Sequence, residues 1–250
     1  MTARRAAALV TALMLNWIAL VPHADAAPLA DVQIGISLSK PPYIMENGRS
    51  GMEYDIADKA LEAGGYRMVA QQLPPARALA LMRVGKLDGM LTVDEGIGGN
   101  AYFSDTYLTY QNVATTLASR HIQLNNIDEL RGYSIAAFQN ASLILGPHFK
   151  EVIAGHPDYR EHSQQITQNR LLYTGRVDVV VGDRLIFRYL NRQVEATIDT
   201  RQALVHHAIF PPSSRKAVFR DASLRDAFNH GLRKIRQNGT YAAILKKYQE

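Results

Sequence analysis

Cysteine is absent from all 250 residues. That absence removes disulfides, thiolate metal sites, cysteine nucleophiles and a lipid-bearing N-terminal cysteine from consideration. Reaction signatures are missing as well. The sequence has no Gly-Xaa-Ser-Xaa-Gly elbow, no His-Glu-Xaa-Xaa-His pair, no phosphate loop and no dinucleotide fingerprint. Lysines and arginines are spread along the chain, without a dense run interleaved with aromatics, so no nucleic-acid partner is expected. His206 and His207 are adjacent, and adjacent side chains on an extended chain point to opposite faces. No third ligand accompanies them, so neither a metal nor a cofactor is expected.

What is present describes a packed, exported protein. The apolar share of 47% and the charged share of 20% are close to globular averages. Residues 1–26 read as a signal peptide: Arg4 and Arg5 precede an apolar run from Ala6 to Val21, closed by Pro22 and Ala24-Asp25-Ala26. The run, with Asn16 inside it, falls short of the roughly 20 residues a spanning helix needs. Cleavage after Ala26 lowers the formal net charge from +5 to +4, since Arg4, Arg5 and Asp25 are lost together. No later stretch is long and apolar enough to cross a bilayer, and a periplasmic location is expected.

Periodicity then sets out an α/β chain. Alternating Val32, Ile34 and Ile36 predict a strand, and Pro41-Pro42 and Asn47-Gly48 predict a loop. A helix follows from Gly51, with Ile56, Ala57, Ala60 and Leu61 on one face and Gly64-Gly65 as its stop. A strand through Met68 to Leu73 and a helix opening at Pro74-Pro75 come next. Gly85-Lys86-Leu87-Asp88 then leads into a second apolar strand, and ninety residues later Gly175-Arg176-Val177-Asp178 does the same. The recurrence predicts two similar α/β lobes, with polar strand ends at Thr92 and Asp94 in one and Gly182-Asp183 in the other. In the second lobe, Ser134 to Phe138 reads as a strand, and Ser142 as the cap of a helix running to Ile153. Near the C-terminus, Ser223 with Asp226 reads as a capping box for a helix ending at Asn238-Gly239, followed by a last helix around Ile244.

Several pieces, taken in order, are specific. They are Pro42-Tyr43, Gly51-Met52-Glu53-Tyr54-Asp55-Ile56, Gly85-Lys86-Leu87-Asp88, Phe103-Ser104-Asp105-Thr106-Tyr107, Ile127-Asp128-Glu129-Leu130-Arg131-Gly132, Gly175-Arg176-Val177-Asp178 and Gly239-Thr240-Tyr241. From Val32 to Tyr248 the chain resembles the amino-acid-type extracellular solute-binding family (family 3), the periplasmic receptors of ABC importers, as a divergent member. The resemblance implies a type II periplasmic-binding-protein fold, with two α/β lobes joined by two hinge strands. Lobe 1 would be discontinuous, residues 27–111 and 213–250, and lobe 2 would hold residues 112–212. A small-molecule ligand, an ABC permease partner and a monomeric state are the expectations that come with it.

The same resemblance assigns roles to residues. Tyr43 would cover an apolar or cationic part of the ligand, and Thr92 would present a small hydroxyl or backbone group. Ser142 would stand at a helix N-terminus suited to an anionic ligand group. Asp183 would receive the ligand's ammonium group through a charge-assisted bond, against the alternative of pairing with Arg184. The sequence departs from the family at the arginine that forks onto an α-carboxylate: its position is Ile97, and no arginine lies between Lys86 and Ser119. Arg77 could supply charge from another direction, or be a solvated helix residue. Asp94 and Glu95 beside the missing arginine suggest a ligand of more positive or neutral character, an amine or a modified amino acid. Two other functions fit the fold: a periplasmic dehydratase of the cyclohexadienyl type, and a sensory receptor subunit.

Overall fold

The computed structural model describes residues 28–93 and 101–249. The segment expected to be a signal peptide, residues 1–26, and Asp94, Glu95 and Ile97 lie outside the described residues. Two sheets organise the rest. The first contains β1 (Ala30–Ile36), β2 (Tyr66–Gln72), β3 (Gly89–Val93), β4 (Tyr102–Phe103), β5 (Leu108–Tyr110) and β11 (Ser213–Phe219). The second contains β6 (Asn112–Leu117), β7 (Ile135–Phe138), β8 (Tyr159–His162), β9 (Val179–Asp183) and β10 (Leu204–His207). Among the described residues the α-helices are α1 (Met52–Ala63), α2 (Pro75–Arg83), α3 (Ala141–Ile144), α4 (Pro147–Ile153), α5 (Ile166–Tyr173), α6 (Arg184–Val194), α7 (Ala222–Gln237) and α8 (Thr240–Gln249).

The sheets share one plan. In the first, β1 lies between β2 and β3, all parallel, and β11 runs antiparallel beyond β3. In the second, β7 lies between β8 and β9, all parallel, and β6 runs antiparallel beyond β9. Strand alternation divides each into two buried faces. Leu91, Ala217 and Phe219 pack toward α1 and α7, whereas Met90 and Val218 pack toward Ala78 and Met82 of α2. In the second sheet Ile135, Ala137, Val179 and Val181 meet Phe149 and Val152 of α4, and Ala136 and Val180 meet Leu172 and Phe187. Each sheet is therefore a middle layer between helices, and burying a ring such as Phe228 contributes about 1.5–3 kcal/mol.

The repeated Gly-basic-aliphatic-Asp stretch has one structural job in both lobes. Gly85 and Gly175 take φ of 76° and 67°, turning the chain out of α2 and α5. The following aspartate then binds the backbone that enters the central strand. Asp88 Oδ2 accepts the Gln33 N–H at 2.8 Å, and Asp178 Oδ2 accepts the Ser134 N–H at 3.1 Å. Each carboxylate also faces an arginine, Arg220 at 3.1 Å and Arg120 at 3.6 Å.

Two expected helix starts differ. The helix predicted from Ser142 is broken into α3 and α4, because Gly146 sits at φ 94° and Pro147 opens a new first turn. Residue Asn140, not Ser142, precedes α3. At α7 the cap is Asp221, whose side chain accepts the N–H groups of Ser223 and Leu224, so Ser223 is inside the helix. Close packing of α7 on α1 depends on Gly231, where a Cβ would overlap the Ala60 carbonyl oxygen.

Candidate functional site

Sheet membership changes twice along the chain, at Gln111 and between His207 and Ser213. Gln111 ties the two passages together. Its side-chain N–H groups donate to Phe210 O at 3.0 Å and Asn112 O at 2.8 Å, and its carbonyl accepts from the Arg184 N–H at 3.1 Å. Beside this crossing, the carboxyl ends of parallel strands from both sheets face one another, the place where open α/β sheets hold ligands. A cavity of about 190 Å³ lies there, lined by Lys40, Tyr110 and Arg215 from one side and Phe138, Ile144 and Asp183 from the other. A second cavity of about 300 Å³ shares Lys40, Ile144 and Arg215 with it and extends along Ser37 and Thr92. Another cavity, of about 210 Å³, is bordered by Arg188 and Lys247 and shares no lining residue with these two. Its cations already bond Gln249 O and Asp55.

Asp183 is 5% exposed, and its carboxylate is fully used. Oδ1 accepts the N–H groups of Leu185 at 2.9 Å and Ile186 at 3.1 Å, capping α6. Oδ2 accepts the Tyr43 hydroxyl at 2.9 Å and the Gln111 N–H at 3.1 Å. Four acceptor sites thus meet four donors, and neither an ammonium ion nor Arg184 has a place among them. Burial pushes the Asp183 pKa upward, against those hydrogen bonds, which lower it.

Tyr43 is the other half of this contact. It is 1% exposed, lines neither cleft cavity, and stacks on Tyr110 with ring centroids 4.1 Å apart. Its position follows from Gly51, whose φ is 127° and where a Cβ would overlap the Tyr43 carbonyl. The loop therefore lies directly on the start of α1, and Pro42 O and Tyr43 O accept the N–H groups of Met52 and Glu53 at 2.9 and 3.0 Å. On the Lys40 side the aromatic at the cavity wall is Tyr110 instead, with Lys40 Nζ 4.6 Å and the Arg215 guanidinium 4.8 Å from its ring centre.

Below the wall is a buried carboxylate. Glu53, with no exposed surface, accepts the hydroxyls of Tyr107 and Tyr110, each at 2.6 Å, and that of Thr92. Burial and the Glu53 charge push both phenols well above their ordinary pKa, so they remain donors. Thr92 takes φ 60°, an uncommon conformation for a β-branched residue. Between Met90 and Val93 the β3 strand has one residue more than its partner segment Lys216 to Val218, a bulge that turns the Thr92 hydroxyl toward Glu53. Thr92 lines the larger cavity, but its hydroxyl is committed inward.

Ser142 and Arg77 stand elsewhere. The Ser142 N–H donates to Glu161 Oε1 at 2.9 Å and the Asn140 N–H to Glu161 Oε2 at 2.6 Å, so a carboxylate of the same lobe already occupies that helix start. Arg77 is exposed on α2 and lines neither cleft cavity. His206 and His207 bond Thr115 at 3.0 Å and Thr116 at 3.1 Å, ordinary cross-strand partners. Among the described residues no cluster fit to hold a metal occurs, and no helix is long and apolar enough to cross a membrane.

The residues missed in the sequence are Lys40, Tyr110, Arg215 and Glu53. Glu53 had a readable signal: it falls on the apolar stripe of α1 with Ile56, Ala57, Ala60 and Leu61, a position where a charge must find partners. Lys40 and Arg215 had none.

Solved structures compare well with this arrangement. An ancestral arginine-binding protein bound to arginine superposes with a TM-score of 0.62 at 20% identity, covering 88% of this chain and 98% of that one. The arginine-, lysine- and histidine-binding protein ArtJ of Geobacillus stearothermophilus gives 0.61 at 17%, covering 87% and 94%. A histidine kinase sensor domain with similarity to periplasmic binding proteins gives 0.62 at 20%, covering 87% and 95%. These likenesses establish the type II periplasmic-binding fold. No curated protein matches the sequence. The sequence model of one family matches residues 32–250, and the chain belongs to that family, the bacterial extracellular solute-binding proteins, family 3.

Proposed function

We propose that this chain captures a small polar metabolite between two lobes, residues 27–111 with 213–250 and residues 112–212, and offers the closed form to an ABC permease from the periplasm. The reading rests above all on a metabolite-sized cavity whose wall is shared by the strand ends of both sheets. A ligand touching both walls favours closure by its differential affinity for that state, which is what a partner in the membrane would read. Binding without turnover is favoured because the two buried carboxylates nearest the cavities, Asp183 and Glu53, are occupied as acceptors.

A thermal-shift screen of the mature protein against amino acids, amines and small acids tests this. A ligand at a hundred times its dissociation constant adds about 2.7 kcal/mol. Small-angle scattering on each hit should show a smaller radius of gyration. Ligands that raise Tm without compaction, or a panel with no hit, would remove the proposal.

A further inference from the structure

Resting on that ligand-capture reading, we infer that the cleft selects a small organic oxyanion without an ammonium group, held by Arg215 and Lys40 beside the Tyr110 ring. The argument joins three independent observations. First, the carboxylate positioned to take an ammonium is saturated: Asp183 meets four donors at 2.9 to 3.1 Å, one of them the Tyr43 hydroxyl from the loop after β1. Admitting an ammonium there means displacing a backbone N–H or Tyr43 from a group that is 5% exposed.

Second, the cations come from elements that the missing arginine gave no reason to inspect. Arg215 lies on β11 and Lys40 in the loop after β1, and both line both cleft cavities. A guanidinium and an ammonium beside one aromatic ring put two positive groups on the cavity wall, and the planar fork of Arg215 suits an oxyanion. Third, the Ser37 hydroxyl on the wall of the larger cavity is buried and has no hydrogen-bond partner among the described residues. It is a donor for an incoming oxygen. Facing it, Ile144 reaches from the other lobe and supplies apolar surface for the ligand's carbon skeleton.

This reverses the expectation of an amine drawn from Ile97, Asp94 and Glu95. The loss of one arginine is met by a cation at another place in the fold.

Calorimetric titration of the mature protein with matched probes tests it. Succinate and glutarate are set against aspartate and glutamate, with glycerol 3-phosphate as the phosphate arm and putrescine as the cationic arm. The expected result is binding of a deaminated carboxylate or of the phosphate, at least tenfold tighter than any amino acid or amine. Which of the two binds identifies the oxyanion. Arg215→Met and Lys40→Met should each weaken that binding roughly ten- to a hundredfold, and Arg215→Lys should restore part of it. Unchanged Tm of the ligand-free variants shows that they fold.

Tight binding of putrescine, lost in Asp94→Asn and indifferent to Arg215→Met, would overturn the oxyanion assignment and leave ligand capture standing. The same holds for an amino acid that outbinds its deaminated partner. Silence from every probe would overturn the assignment, and silence across the wider metabolite screen would remove ligand capture as well.

Discussion

Replacing Tyr43 with phenylalanine isolates the contact on which the cleft geometry turns. The ring stays, with its stacking on Tyr110, and only the hydroxyl that donates to Asp183 is lost. Burial and the Asp183 charge push the Tyr43 phenol pKa upward, so it is a donor at any ordinary pH. Asp183 Oδ2 then keeps the Gln111 N–H alone, and at 5% exposure water cannot readily take the vacated position. A hydrogen bond to a charged group contributes about 1.5–3 kcal/mol. Since 1.4 kcal/mol is a factor of ten, the ratio of joined to parted sheets should fall roughly ten- to a hundredfold. Scattering on the ligand-free variant should give a larger radius of gyration, and denaturant unfolding a lower midpoint. A double-mutant cycle with Asp183→Asn, which retains a good helix cap, should show coupling of at least about 1 kcal/mol. A variant within about 0.5 kcal/mol of the parent, with the same scattering curve, would refute the account.

Two further outcomes follow from the buried and half-buried carboxylates. Glu53→Leu should leave the hydroxyls of Tyr107, Tyr110 and Thr92 without their shared acceptor and cost about 3–5 kcal/mol in denaturant unfolding, with Glu53→Gln closer to the parent; equal losses would count against the network. At Glu161, burial raises the pKa, but the hydrogen bonds from Ser142, Tyr159 and Asn140 bring it below the ordinary 4.5. A carboxyl depressed in the folded state stabilises above its unfolded value and loses that contribution as pH falls through the folded one. The Tm gap between the parent and Glu161→Gln should therefore be open at about pH 6 and narrow as the pH falls below 4.5, and a gap constant with pH would contradict it.

How much of this was legible depended on the range of the interaction. The strands and helices through Val181 came from period-2 and period-3.6 patterns closed by glycine and proline, signals carried within a dozen residues. Gly85 to Asp88 and Gly175 to Asp178 were readable as a repeat because each does the same local work, turning out of a helix and fixing the next strand. Ser142 and Ser223 were misplaced as caps because both lie inside their helices, after Asn140 and Asp221, and the carboxylate that accepts the Ser142 N–H, Glu161, comes from β8.

The sequence alone thus determined the α/β alternation, the doubled lobe and, through its ordered motifs, the family. Tertiary structure alone decided what the cleft presents. Tyr43 and Asp183 are 140 residues apart, Glu53 and Tyr110 are 57 apart, and Lys40 and Arg215 come together only at the Tyr110 ring. A carboxylate's use as ligand partner, helix cap or interlobe clasp depends on which donors arrive first in space. Residue type and spacing along the chain carry no record of that.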